Sequence, residues 1–520
     1  MRKLVALLLA LMMVALPLVA CQKNDPTSGK TSGNVSGTSG TSGTSNDPTS
    51  ETPDIPSDVR FDGEIIRFFV NAGDSEAATS DDSLQIRSIK VDEDLVDMGY
   101  AINKAVAQRN QTVQDALGVT IELSGTCGMQ EATTKLQPIL LGGSDDYDVV
   151  GGYQYFDLGL ALGETAGTLL NYNKITEEEM YIDPSKPYWD TGCFEELAYQ
   201  GAAYSITGDL SQTWVSTMFV TFVNANLWNQ YKTVIEELTG YTDIYELVYA
   251  KKWTLDLFSK ISQRVYVDTN NNDKIDHEDV VGFAGYTPCL DNIFVDGLAA
   301  GSHITYSEKV DGKPQINFYN DHSVAFADKL YTLFYESKAG IFAEDSEKYI
   351  MEYFADGNIM MVIQGLQCSE AYLADMKDDF YIVPVPMLDE AQGQYYTSIG
   401  DCITQFAIPS TCPHVAATTA TLELMAYYSK KLVTPEYYDV ALKERYTRDE
   451  KAAAMIDFIH DTVFSDFAVL YSNKLGNTTW FFRTNITKRF ASVAKGKQRV
   501  WTSSMDKLLD ELENSIYIEA

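Results

Sequence analysis

Three short apolar runs, EIIRFFVNA (64–72), GVTIEL (118–123) and YDVVGG (147–152), are separated by segments with helical spacing. Ile102, Val106, Val113 and Leu117 recur near that spacing before the second run, and EATTKLQPIL reads as a helix before the third. Strands joined by helices rather than tight turns need crossover connections, which implies an α/β body with a mostly parallel sheet. In such sheets ligands bind beyond the carboxyl ends of the strands. Tyr153 and Tyr155 lie just past such an end. A second alternating region follows. GAAYSITGDLSQTWVSTMFVTFVNANLWNQY (201–231) holds two strand-like runs with Gly208, Asp209 and Trp214 between them, and KKWTLDLFSKISQRVYV (251–267) reads as an amphipathic helix capped by Thr254. FADGNIMMVIQGLQCSE (354–370) reads as helix, strand and turn, and DFYIVPVPMLDEAQG (379–393) as a strand broken by Pro384 and Pro386. The C-terminal part is helical, and no internal repeat is visible. A body of about 460 residues exceeds what one hydrophobic core organises, so two lobes are expected.

The N-terminus, MRKLVALLLALMMVALPLVAC, has Arg2 and Lys3, an apolar stretch, and Leu18-Val19-Ala20 before Cys21. This is the pattern of a signal peptide over 1–20, too short and wrongly flanked for a spanning helix. The L-V-A-C ending resembles a bacterial lipobox, which implies cleavage before Cys21, a lipid on its sulfur, and attachment to the outer face of the cytoplasmic membrane. Residues 21–56 continue as Ser, Thr, Gly, Pro, Asn and Asp with almost nothing to bury. That composition makes a disordered tether, with a typical end-to-end span of about 30–35 Å.

With Arg2 and Lys3 removed by cleavage, 37 basic residues remain against 74 acidic ones. Nucleic acid is excluded as a partner, since it requires a basic face. Besides Cys21 there are Cys127, Cys193, Cys289, Cys368, Cys402 and Cys412, too sparse for a disulfide scaffold and without CxxC metal spacing. Mostly buried thiols are expected. No HExxH, GxSxG or Gly-rich phosphate loop occurs, and His303, His322, His414 and His460 read as ordinary surface or core residues.

The segments INKAVAQRNQTVQDALGVTI, YIDPSKPYWDTGCFEELAYQGAAYSITGD, FVNANLW, KKWTLDLF with the later Gly282-Phe283, FADGNIMM, DFYIVPVPMLDE and VTPEYYDVALKERYTRD, in this order, resemble the carbohydrate-type solute-binding lipoproteins of ABC importers, maltose-binding-protein-like, over most of residues 60–500. The resemblance implies a two-lobe periplasmic-binding-protein-like clam-shell, each lobe a mainly parallel sheet flanked by helices. Lobe one would be 57–213 with 397–430, and lobe two 214–396 with 431–520. Hinges would lie near GDLSQTW and YYTSIGD. It further implies a monomer that captures a carbohydrate, an oligosaccharide, between the lobes and delivers it to ABC permease subunits. By position, Tyr153, Tyr155, Asp209, Trp214, Gln364 and Asp401 match where the family places cleft residues, while Trp189 reads as a packed loop anchor. A surface glycoside hydrolase, or a glycan sensor or adhesin using the same cleft, remains the alternative. Peptides and polyols also use two-lobe clefts.

VDTNNNDKIDHEDVVGF (267–283) places oxygen-bearing side chains at alternating positions, as Ca²⁺ requires. Asp268, Asn270, Asn272, the Lys274 carbonyl, Asp276 and Asp279 fill loop positions one, three, five, seven, nine and twelve, with Ile275 expected to pack inward at eight. Asp273 stands where an EF-hand has Gly, and Asp279 where it has Glu. The ion would be structural.

Overall fold

The computed structural model describes residues 51–71, 84–91, 100–128, 131–153, 165–288, 293–337, 340–343, 347–399, 403–442 and 450–518. Tyr155 and Asp401, along with Cys21, Cys289 and Cys402, lie outside these residues. All described elements belong to one compact unit, Pro48–Ala520.

Twelve strands occur in chain order: β1 (Ile65–Asn71), β2 (Thr120–Cys127), β3 (Val149–Tyr153), β4 (Phe219–Asn224), β5 (Tyr266–Val267), β6 (Val280–Tyr286), β7 (Ser307–Val310), β8 (Lys313–Ile316), β9 (Gly340–Ala343), β10 (Ile359–Gly365), β11 (Phe380–Pro384) and β12 (Thr404–Ala407). They form two principal sheets, one per lobe. The first has the order β12-β3-β1-β2, in which β1 runs parallel to β2 and β3 while β12 runs antiparallel to β3. The second has the order β11-β4-β10-β6-β5, with β9 also on β6. There β4 is antiparallel to both neighbours, and β6 is parallel to β10 and β9. β7 and β8 form a separate hairpin.

Each apolar run of the first alternation became a strand of the first sheet. Ile66, Phe68 and Val70 share one face of β1 and pack with Val113, Leu117, Phe406 and Ala417, while Phe69 faces Ile102, Val106 and Leu136 on the other side. The inner strands β1 and β3 are covered on both faces and are apolar on both, whereas the edge strand β2 alternates exposed Thr120, Glu122 and Ser124 with more buried residues. The Arg67 guanidinium clamps Asp148 through Nε (2.9 Å) and Nη2 (3.0 Å), tying the middle of β1 to the start of β3, and Asp148 is fully buried. The bond to Asp148 holds the guanidinium pKa above its usual value. In the second lobe Thr254 caps the helix Leu255–Ser262, as its position in the sequence predicts. Buried Trp253 donates from Nε1 to Pro384 O (2.9 Å), joining that helix's entry to the end of β11.

The chain passes between sheets twice, from β3 to β4 and from β11 to β12, and the two crossings lie side by side. Thr404 N–H donates to Thr213 Oγ1 (2.9 Å), the Thr217 hydroxyl donates to Ile399 O (2.6 Å), and Phe219 N–H donates to Ser398 O (2.9 Å). A third segment joins them: Thr397 pairs with Val463, and its hydroxyl bonds that of Thr462 (2.8 Å). At the entrance to the first crossing, Gly208 bridges Trp189. A Cβ on Gly208 would lie 2.3 Å from Tyr188 O, a backbone atom with nowhere to go. Gly208→Ala should therefore destabilise the fold by about 1–3 kcal/mol through overpacking, read as a lower denaturant midpoint at unchanged slope.

Candidate interlobe site

The registers fix which strand ends meet the crossings. Thr404, the first residue of β12, pairs with Tyr153, the last of β3, and Phe219, the first of β4, pairs with Gly365, the last of β10. Since Thr213, Thr217 and Phe219 are bonded to Thr404, Ile399 and Ser398, the carboxyl ends of the parallel strands in both sheets lie at the crossings. This is the position at which α/β sheets bind ligands.

Two amide side chains stand at the end of β10. Gln364 donates from Nε2 to the Tyr286 hydroxyl (2.9 Å) at the end of β6. The backbone ladder then runs past β10 onto the first crossing, with Leu366 N–H bonded to Met218 O (3.0 Å) and Gln367 N–H to Ser216 O (2.8 Å). The Gln367 amide folds over Gly365, where a Cβ would meet its Oε1 at 2.2 Å, so the glycine makes room for it. Gln364 Oε1 and Gln367 Oε1 are both buried acceptors without a hydrogen-bond partner. An acceptor left in that state costs about 1–3 kcal/mol unless a donor fills it.

Of the residues singled out from the sequence, Tyr153 and Gln364 lie at strand ends, and both are buried. Asp209 and Trp214 are also buried, and they meet in a polar cluster beside the first crossing. The Trp214 indole N–H donates to Asp190 Oδ2 (2.9 Å), and its ring lies edge-on to His460 with centroids 4.7 Å apart. His460 Nε2 is 3.6 Å from Asp209 Oδ2, whose other oxygen accepts from the Thr434 hydroxyl (2.6 Å). Burial alone would pull the imidazole pKa down, but Asp209 and Asp461 outweigh it and hold it at about 9. The histidine thus ties the C-terminal helices to the crossing. In the sequence it reads as ordinary, because nothing local connects residue 460 with residue 209.

Trp189 is a packed anchor, donating from Nε1 to Glu423 Oε2 (2.7 Å), while the Tyr188 hydroxyl donates to Oε1 of the same residue. Burial raises the Glu423 carboxyl to about 7 against those donors. A lone glutamate inside the apolar run TLELMAYY was the available signal for this site.

No protein-family model matches the chain, and no curated protein matches it in sequence. Solved structures do match. The cyclic α-maltosyl-1,6-maltose binding protein of Arthrobacter globiformis is 12% identical, with a TM-score of 0.50 over 86% of this chain and 98% of its own. The extracellular solute-binding protein of Staphylococcus aureus, solved with maltose, is 10% identical, with a TM-score of 0.50 over 88% of this chain and 99% of its own. The chain has the two-lobe solute-binding-protein fold.

The loop 268–279 lies on the outside of lobe two, away from these strand ends in sequence. Asp268 accepts from the N–H groups of Asn272 (3.1 Å) and Asp273 (2.9 Å), and Asp279, fully buried, accepts from those of Thr269 (3.0 Å) and Asp276 (3.1 Å). Asp273 has φ +59°, the left-handed turn that an EF-hand gives to glycine. Ile275 does not pack inward as expected and is 37% exposed. Among the described residues no three His, Cys, Asp or Glu side chains converge as a metal-binding set.

The His460 pKa exceeds the unfolded value of about 6.5, so its contribution to stability is full below that pH and is lost between about 6.5 and 9. His460→Gln should lower the melting temperature at pH 6 and flatten its decline between pH 6.5 and 9. A decline as steep as in the wild type would assign the titration elsewhere.

Proposed function

We propose that this protein is a membrane-tethered binding protein that captures an uncharged carbohydrate, an oligosaccharide, in the interlobe cleft and delivers it to an ABC permease. The observation that carries the reading is the pair of unfilled amide acceptors, Gln364 Oε1 and Gln367 Oε1, at the hinge end of β10. Sugar hydroxyls are donors of the right kind, and Tyr286 and Tyr153 place aromatic rings at the ends of β6 and β3. The cyclic α-maltosyl-1,6-maltose and the maltose named for the two similar structures point the same way. Closure of two lobes about a hinge lets binding energy select one conformation, which a permease then reads.

Several described carboxylates are engaged in holding the fold. Asp148 is clamped by Arg67, Glu423 holds Tyr188 and Trp189, and Asp466 caps the helix Phe467–Leu470 through two backbone N–H groups. Among the described residues no helix is long and apolar enough to span a membrane, so tethering in this reading rests on a lipid at Cys21. The loop 268–279 is proposed to hold a structural Ca²⁺ through Asp268, Asn270, Asn272, Asp276, Asp279 and the Lys274 carbonyl; the left-handed turn at Asp273 favours it.

The deciding experiment is a thermal-shift screen of the full chain against mono- and oligosaccharides, with short peptides and polyols as controls. A melting point raised by a glycan that is not cleaved supports the reading; reducing ends released from that glycan would make the protein a hydrolase. Gln367→Leu should leave stability unchanged or raised while weakening the glycan about 2–10-fold, the worth of one neutral hydrogen bond. Chelator should lower the melting temperature and added Ca²⁺ restore it; indifference to both would remove calcium from the account.

A further inference from the structure

The helix Phe490–Ile518 is 29 residues long, about 43 Å at 1.5 Å per residue, and it is anchored in both lobes. Its first half belongs to lobe two. Phe490 and Trp501 sit in an aromatic cluster with Tyr306, Phe318, Phe481 and Phe482, with Phe318 and Trp501 centroids 5.1 Å apart and Phe482 stacked on Phe490 at 5.4 Å. Tyr306 and Phe318 flank the β7–β8 hairpin, between β6 and β9 of the second sheet.

Its last turns meet lobe one. The Tyr204 hydroxyl bonds Ser515 Oγ (2.7 Å), and both residues are buried. The Tyr199 hydroxyl (3.1 Å) and Gln200 Nε2 (2.9 Å) both donate to Glu513 Oε1, and Lys174 Nζ donates to Ile516 O (2.8 Å). These partners belong to the segment that runs along the first sheet: Tyr172 N–H bonds Ala203 O, and Ile206 exchanges backbone hydrogen bonds with Phe406 of β12. Neighbouring contacts repeat the pairing, with Lys309 donating to Glu195 O (2.7 Å) and the Tyr471 hydroxyl to Leu197 O (3.1 Å).

A helix does not stretch, so any rotation of the lobes must be taken up at one of its ends. Pulling Trp501 away from the rings of Tyr306, Phe318 and Phe481 would expose a large apolar area, whereas the hydroxyl, amide and carboxylate groups that hold the other end exchange protein partners for water at small net cost. The yielding end is therefore the one on lobe one.

We propose that this helix is a strap that moves with lobe two, and that Tyr199, Gln200 and Tyr204 receive its last turn as a latch setting the angle between the lobes. These are positioning residues for the cleft, remote from it in sequence and making no contact with ligand. A docked last turn holds one interlobe angle, and an undocked one releases the hinge. The latch rests on the two-lobe arrangement and on closure as the binding step, but not on the ligand being a sugar.

The test measures the angle directly, without ligand. Spin labels on keto-bearing residues placed at Lys104 in the helix Ala101–Leu117 and at Glu236 in the helix Lys232–Thr239 leave the native thiols untouched, and both sites are exposed. The wild-type full chain is expected to show one narrow interlobe distance. Tyr204→Phe combined with Glu513→Ala should add a second, separate distance population while the protein stays folded. Hydrogen exchange should show residues 511–518 opening before the turn around Trp501, with the double variant speeding exchange only in the former. An unchanged distance distribution in a folded variant, or equal protection along the whole helix, would overturn the latch. If the distances shift as expected but no carbohydrate binds in the thermal screen, the latch stands and the ligand assignment alone fails.

Discussion

The hydrogen-bonded seam between the two crossings carries the architecture. Thr213 with Thr404, Thr217 with Ile399 and Phe219 with Ser398 hold together two segments nearly two hundred residues apart in sequence. Because the seam adjoins the first residues of β4 and β12, it fixes both sheets by their ends. β4 and β12 both run against the parallel direction of their sheets, as the short edge strand β5 also does, and each of the two is the first strand laid down after a crossing. Threonine suits such a seam. Its hydroxyl donates and accepts while its β-branched stem stays extended, so one side chain can bridge two backbones.

Buried charge is concentrated where segments distant in sequence must be joined, and each instance has a partner set that compensates it. Asp148 takes two bonds from Arg67, and Asp466 takes backbone and hydroxyl donors at a helix start and from Ser307. Arg109 is an instructive contrast. It is fully buried without a carboxylate, bonded to Ser429 Oγ (3.0 Å), Ser88 O (2.6 Å) and Asn110 Oδ1 (3.0 Å), and burial pulls its pKa down to about 9. Such a group binds three segments into one geometry at an energetic cost that an apolar residue would avoid, which makes it a device of specificity more than of stability.

The fold was legible because its signals are local. Apolar runs such as IIRFFVN and FVTFVN, separated by helical periodicity, announce buried strands, and Thr254 announces a helix start. The site was legible only in part. Gln364 stands at a strand end, as the order of segments implies, but the neighbouring Gln367 acquires its place from the continued ladder onto Ser216, which no local pattern encodes. Asp209 and Trp214 sit beside the crossing, yet their surroundings are written by Asp190 and His460, from far along the chain in opposite directions. Ile275 is exposed, because an inward-packing position needs a partner surface that the loop's own sequence cannot supply.

Alone, the sequence determined the class: an α/β body too large for one core, too acidic for nucleic acid, with strands whose apolar runs demand cover on both faces. These follow from composition and from periodicity, which act over a few residues and survive without knowledge of neighbours. The tertiary structure alone decided which strand ends meet at the two crossings, which glutamine oxygens are left without donors, and that one C-terminal helix packs against segments from both sheets. Those are relations between residues tens to hundreds of positions apart. They exist only after the chain has crossed twice and closed on itself, because hydrogen-bond satisfaction and burial are properties of the packed whole and not of any segment.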